Sequence, residues 1–332
     1  MKFKKPELKK TNLIFIVISM ILLLGACVFF YNRYKKNSFD LPVLKNVVNK
    51  GIPIAMALDD NYVYPTIVAI TSAMENKNAA TEYSFYLMHP NEFKDESKKK
   101  IKSLEKTYDK CHIHLINMGD QFKNANDKGH ITTPAYYRLA LSEILVNIDK
   151  IIWLDGDTLT LQDLNQMYDM DMEGLYYRGY LDCTVYGAAD FGVDTDHYIC
   201  SGVMLVNLRD LRKDDMVKKF NDFIKENNSR LIQHDQTVIN VVCADRIGIL
   251  PPKFGMFNDF ATKELCKRYS DMLIAKNKYT YEDMINALSN LCILHCIGKP
   301  WKNPDAKLGD LWWYYARKTN FYHEIRETYP IF

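Results

Sequence analysis

The stretch Lys150-Ile151-Ile152-Trp153-Leu154-Asp155-Gly156-Asp157 sets an apolar run directly before two carboxylates. The run predicts a short buried strand that stops abruptly at Asp155. In an open α/β sheet, ligands collect at the carboxyl ends of strands. Two acids one residue apart in that place can hold a hard divalent cation through oxygen ligands. The intervening Gly156 lets a bulky ligand approach the backbone. The same Asp-x-Asp triplet recurs at Asp169-Met170-Asp171 and Asp194-Thr195-Asp196 with no buried strand before it. Placement, rather than the bare triplet, therefore carries the signal.

The chain of 332 residues suits one or two domains plus an appendage, and its 48% apolar content allows a sizeable core. A net charge of +2 gives no electrostatic footprint for nucleic acid. The eight cysteines form no Cys-x-x-Cys pair, which points to reduced, mostly buried thiols. Cys292, His295 and Cys296 lie close in sequence but lack a second cluster to complete a zinc site.

Residues 1–10 are a basic tail with five lysines and one glutamate, and residues 11–32 are almost continuously apolar. About twenty helical residues span the hydrocarbon core of a bilayer. A single-pass membrane anchor is therefore expected there. A cleaved signal peptide or lipidation at Cys27 of Leu24-Gly25-Ala26-Cys27 are the rival readings. Residues 33–50 follow as a polar tether, and residues 51–332 as the globular domain. Basic residues flank the apolar run on both sides, so its orientation stays open.

Strand patterns cover residues 52–58, 82–88, 112–117, 150–154 and 201–208, with helical patterns between them. Such alternation predicts a mostly parallel sheet covered on both faces. Thr133-Pro134 opens a helix carrying Arg138, which is suited to clamp a carboxylate or phosphate. A second helix starts at His234-Asp235-Gln236, where Asp235 either caps the helix or faces a ligand. A short strand ends at His295, before Gly298-Lys299-Pro300-Trp301. The aromatic tail from Leu311 is expected to pack onto the core.

In this order the blocks resemble glycosyltransferase family 8, the family of bacterial lipopolysaccharide galactosyl- and glucosyltransferases and of glycogenin. The resemblance rests on Ala57-Leu58-Asp59-Asp60-Asn61-Tyr62, Tyr137-Arg138-Leu139, Asp155-Gly156-Asp157, the strand from Ser201, Asp235-Gln236, and the ending from His295 to Trp301. The tail Trp-Trp-Tyr-Tyr-Ala-Arg at residues 312–317 resembles the lipopolysaccharide branch in particular.

The resemblance implies a GT-A type nucleotide-diphospho-sugar transferase fold. It also implies a UDP-sugar (UDP-hexose) donor, Mn²⁺ or Mg²⁺ as cofactor, a glycan or glycolipid acceptor, and retention of anomeric configuration. By position, Asp155, Asp157 and His295 would hold the metal. Ala57, Asp59, Asn61 and Tyr62 would meet the nucleoside, with Gly156 beside it. Gly298 and Lys299 would meet the diphosphate. Arg138, Asp190, Asp235 and Gln236 would lie around the reacting sugar. The UDP-sugar supply would put the catalytic domain in the cytosol of a bacterium.

Three positions depart from the family pattern. Gly298 and Lys299 are adjacent, where two residues usually intervene. Cys200 replaces a frequent asparagine, and Thr237 replaces a frequent acid. The rival functions are a sugar-nucleotide hydrolase or nucleotidyl transferase on the same fold, and a non-catalytic membrane-tethered sugar-nucleotide- or glycan-binding protein.

Overall fold

The structure is a computed structural model that describes residues 41–45, 48–122, 133–182, 189–193, 197–261 and 279–330. These belong to a compact unit, Leu41–Phe332. The single-pass membrane placement expected from residues 11–32 is corrected. No helix among the described residues is long and apolar enough to cross a membrane, and residues 11–32 lie outside the described set. The longest described helix, Val63–Asn76, has 14 residues. At about 1.5 Å per residue it spans about 21 Å, short of the roughly 30 Å of a bilayer core.

The strands in chain order are β1 (Ile52–Ala57), β2 (Tyr83–His89), β3 (Cys111–Asn117), β4 (Lys150–Leu154), β5 (Thr158–Thr160), β6 (Tyr177–Leu181), β7 (Ile199–Asn207), β8 (Ile247–Ile249), β9 (Phe254–Phe257) and β10 (Ile293–His295). A seven-stranded sheet has the order β3-β2-β1-β4-β7-β6-β8, and a three-stranded sheet the order β5-β10-β9. The large sheet is mostly parallel, as expected, except that β7 runs antiparallel to both β4 and β6. The reversal puts the first residues of β7 beside the carboxyl ends of its neighbours, which is where the site lies.

The helices used below are α1 (Val63–Asn76), α2 (Asp95–Lys102), α3 (Leu208–Lys213), α4 (Met216–Asn227), α5 (His234–Val242), α6 (Tyr281–Ser289), α7 (Gly309–Lys318) and α8 (Tyr322–Thr328). α1 is buried nearly all round because it sits between two apolar clusters. Ile67 and Ile70 face the one built on the large sheet, and Val68 faces the one that holds Trp301, Trp312 and Trp313. The aromatic tail thus packs onto the core, with Trp312 1% exposed.

Some boundaries differ from the sequence patterns. The segment from Thr133 is a 3-10 helix to Ala140 before one α-turn, Leu141–Ile144. After β7 the chain forms two charged helices, α3 and α4, rather than one continuous helix, separated at Asp215, whose φ of 53° is left-handed.

Candidate active site

β4 delivers Asp155 and Asp157 to the carboxyl edge of the large sheet, and the small sheet delivers the histidine. In the antiparallel β5–β10 ladder His295 pairs with Thr158, the residue after Asp157. The Cys296 N–H donates to the Asp157 carbonyl at 2.8 Å, which closes that ladder. As a result, one ligand atom from each of Asp155, Asp157 and His295 lies within 4.8 Å of the others. A Cβ on Gly202 would fall 2.3 Å from His295 Cε1 and 2.9 Å from Asp155 Oδ2, so only glycine leaves room for this approach. Two carboxylates and one imidazole, with Asp157 and His295 buried and Asp155 partly exposed, are a donor set that fits a divalent ion of the Mn²⁺ or Mg²⁺ type.

Among the described residues no other group of this kind converges in this way. Asp171 accepts from the Glu173 N–H at 2.9 Å in a local turn, and Asp194 and Asp196 lie outside the described residues. Cys292 and Cys296 are buried in different apolar clusters, which answers the zinc reading. Burial pushes the Cys292 thiol up to about 12.

Charge around the acids is closely matched. Burial works against ionisation of Asp157, but Lys299 and His295 hold its carboxyl well below the usual range. Burial would lower the His295 pKa, yet Asp157 outweighs it and holds the imidazole up at about 10. His295 Nε2 is 3.2 Å from Asp157 Oδ1, and Lys299 Nζ donates to Asp157 Oδ2. Lys299 reaches inward from a tight loop by adopting a left-handed φ of 49°. The loop shorter than the family pattern thereby still brings the ammonium to the acids.

Arg138 is 5% exposed and stands behind Asp155. Its Nη2 donates to Asp155 Oδ1 at 2.9 Å, and its Nε lies 3.0 Å from Asp235 Oδ2. Nη1 donates to the Ser201 carbonyl, and the guanidinium lies 4.4 Å from the Trp153 ring centre. Burial raises the Asp235 pKa, against the pull of Arg138. Asp235 is therefore a buried partner of Arg138 and not the helix cap, a position taken by Gln233.

The cleft has a volume of about 180 Å³ and is lined by Ala57, Asp59, Tyr62, Arg138, Asp155, Gly156, Asp157 and Lys299, among others. Asn61 is exposed and outside the lining, and its N–H donates to Asp59 Oδ1 at 2.9 Å. Gly156 serves packing as well as access. A Cβ there would lie 2.7 Å from Thr66 Oγ1 on α1 and 3.3 Å from Tyr62. Gly298 is set against Asn258, whose Oδ1 accepts its N–H at 3.1 Å.

Gln236, near the start of α5, is clamped at both ends of its amide. Oε1 accepts from the Ser201 N–H at 3.0 Å and Nε2 donates to Asp182 Oδ2 at 2.9 Å. Those partners fix which end is oxygen. Asp182 is 4% exposed and was missed by the sequence reading, although it directly follows β6 as Asp155 follows β4. Asp190 stands elsewhere. It is exposed in the 3-10 turn Ala189–Phe191, outside the cleft lining, and its carbonyl accepts from Arg230 at 2.9 Å. Thr237 is buried at 1% exposure. Cys200 Sγ lies 3.8 Å from His295 Nδ1.

The sequence model described as glycosyl transferase family 8 matches residues 53–305. General stress protein A of Bacillus subtilis (strain 168) is 24% identical over 266 residues, covering 75% of this chain and 87% of the relative. A lipopolysaccharide 1,2-glucosyltransferase of Escherichia coli is 23% identical over 259 residues, covering 75% of this chain and 72% of the relative. Among solved structures, the galactosyltransferase LgtC in complex with donor and acceptor sugar analogues matches with a TM-score of 0.67 at 21% identity. That match covers 85% of this chain and 97% of the other, and it shows the fold.

Proposed function

The chain belongs to glycosyl transferase family 8 and is a glycosyltransferase, and from that premise we propose that it moves a hexose, glucose or galactose, from a UDP-sugar to a glycan or glycolipid acceptor with retention of configuration. Synthesis of lipopolysaccharide or another surface polysaccharide is the setting that best suits its relatives. The observation that carries this reading is the convergence of Asp155, Asp157 and His295, with Lys299, Asp59 and Tyr62 lining the same cleft as the two acids.

Departure of UDP builds negative charge on the β-phosphate. Asp155, Asp157 and His295 would hold a divalent ion there, which would supply Lewis-acid neutralisation of that charge. Lys299 adds a fixed positive charge in the same place, where electrostatic stabilisation of a transition state is most effective. Ala57, Asp59 and Tyr62 form the wall suited to the nucleoside. Arg138 orients Asp155 and, through Asp235, ties α5 to the site.

The anomeric carbon becomes oxocarbenium-like as the bond to UDP lengthens, as in glycoside hydrolysis. Gln236 is a neutral amide with its orientation fixed by Ser201 and Asp182, and an amide is a poor nucleophile. Front-face displacement, with the acceptor hydroxyl entering on the side UDP leaves, follows from that chemistry. Trapping a covalent sugar adduct would overturn it.

The experiment is UDP release by the full chain across a panel of UDP-sugars, with Mn²⁺ or EDTA, with and without glycan acceptor. Acceptor-stimulated release from one donor, abolished by EDTA and by Asp157→Ala, is the expected result. Release that ignores every acceptor would make the protein a sugar-nucleotide hydrolase. The absence of both turnover and metal-dependent UDP binding would leave a binding module or a relic.

A further inference from the structure

Beyond residue 305, where the family match ends, the chain forms α7 and α8 and closes on Tyr329. That tail reaches the wall of the cleft assigned above to the nucleoside. The 3-10 turn Asp60–Tyr62 contains no fully buried residue, and it is held by Tyr62, which packs against both apolar clusters, together with side chains brought to it from other elements. Asp60 Oδ1 accepts from Ser97 Oγ at 2.6 Å and from the Lys94 N–H at 3.3 Å, which ties one side to the start of α2. On the other side the Tyr329 hydroxyl donates to the Asn61 carbonyl at 3.3 Å.

The Tyr329 ring continues the contact into the core. Its centre lies 6.3 Å from Trp301 and 6.5 Å from Trp312, and Trp301 in turn meets Tyr62 edge-on at 6.2 Å. Glu324 on α8 completes the brace. Its carboxylate accepts from the Tyr64 hydroxyl at 2.8 Å and from Lys100 Nζ, linking α8 to both α1 and α2. Burial, with Tyr62, Tyr64 and Asp59 nearby, pushes the Tyr329 hydroxyl up to about 12, so it is a donor at neutral pH.

We infer that Tyr329 and Glu324 are positioning residues for the donor nucleotide, holding the Asp60–Tyr62 turn in its binding conformation from the far end of the chain. The inference rests on the proposed reading of that turn as the nucleoside wall. Preorganising a binding loop raises affinity by removing the cost of ordering it. Neither residue belongs to the metal-ligand set, so the effect falls on nucleotide binding rather than on turnover.

The test uses the full chain and UDP as probe. UDP affinity with Mn²⁺ is measured by calorimetry, Mn²⁺ binding alone by electron paramagnetic resonance, and KM and kcat by UDP release, for wild type, Tyr329→Phe, Tyr329→Ala and Glu324→Gln. Tyr329→Phe keeps the ring and loses only the hydrogen bond. It is expected to raise the UDP Kd and the donor KM about threefold to tenfold, the worth of one such bond. Tyr329→Ala is expected to lose more, with Mn²⁺ affinity intact in every variant and kcat changed less than KM. Unchanged UDP Kd in Tyr329→Phe and Glu324→Gln, beside a wild type that binds UDP, overturns the inference. So does a fall in kcat at constant KM. A wild type that binds no UDP removes the donor reading itself, and this inference with it.

Discussion

Arg138 shows how much one side chain can be asked to hold. Its guanidinium serves Asp155, Asp235 and the Ser201 carbonyl from a position 5% exposed. Lysine keeps the charge but offers a point donor instead of a planar fork. Arg138→Lys is therefore expected to leave Asp235 poorly paired, to destabilise the protein by about 3 kcal/mol in urea unfolding, and to abolish UDP release. Gly202 is the complementary case, a residue valued for having no side chain. Gly202→Ala forces His295 or Asp155 aside. Loss of about 10- to 100-fold in Mn²⁺ affinity is expected by calorimetry, with the circular dichroism spectrum retained. Of these residues, the sequence pointed to Arg138, Asp155 and His295 by type and placement. The demand on Gly202 was not visible there, because it arises from His295, which arrives on another strand.

The elements follow their local patterns until tertiary demands intervene. Apolar runs predicted β1, β4 and β7 to within a residue or two, because half-buried and buried strands announce themselves by composition. The direction of β7 was not predictable from that composition, since a buried strand reads the same parallel or antiparallel. Between α3 and α4 the break at Asp215 has a local cause that can be tested. Asp215 pays for a left-handed backbone that glycine adopts freely. Burial raises the pKa of nearby Glu143, and the negative charge of Asp215 adds to that rise. Asp215→Gly is expected to stabilise the protein by about 0.5–1 kcal/mol in thermal or urea unfolding, with UDP release unchanged.

At the scale of the whole molecule, two apolar clusters share α1, and the second is anchored by the tryptophans of the C-terminal region. Trp312 is fully buried against Trp301 and Trp313, with ring centres 5.1 and 4.9 Å away. Trp312→Ala is expected to cost about 3–5 kcal/mol of stability by urea unfolding. Metal binding is a second global lever, because an ion that binds only the folded chain stabilises it. At a free concentration about 100 times its Kd, Mn²⁺ adds about 2.7 kcal/mol. With about 2.1 cal/mol/K of unfolding entropy per residue, that is a rise of about 4–5 °C in Tm for a domain of this size. EDTA should reverse the rise, and Asp157→Asn should abolish it.

What the sequence by itself determined is the set of local patterns: apolar strands that end in acids, the order of the motifs, and through them the family. These are legible because strand and helix periodicity and the spacing of neighbouring residues are carried by covalent connection alone. What only the tertiary structure decided are the meetings between distant positions. Asp182 holds Gln236 across 54 residues, and Tyr329 reaches Asn61 across 268. Such contacts depend on strand direction, on the ladder that sets His295 beside Thr158, and on how loops turn. Many sequences with the same local patterns can arrange those differently. The side-chain partners of the site therefore become fixed only when the two sheets and the C-terminal helices pack around α1.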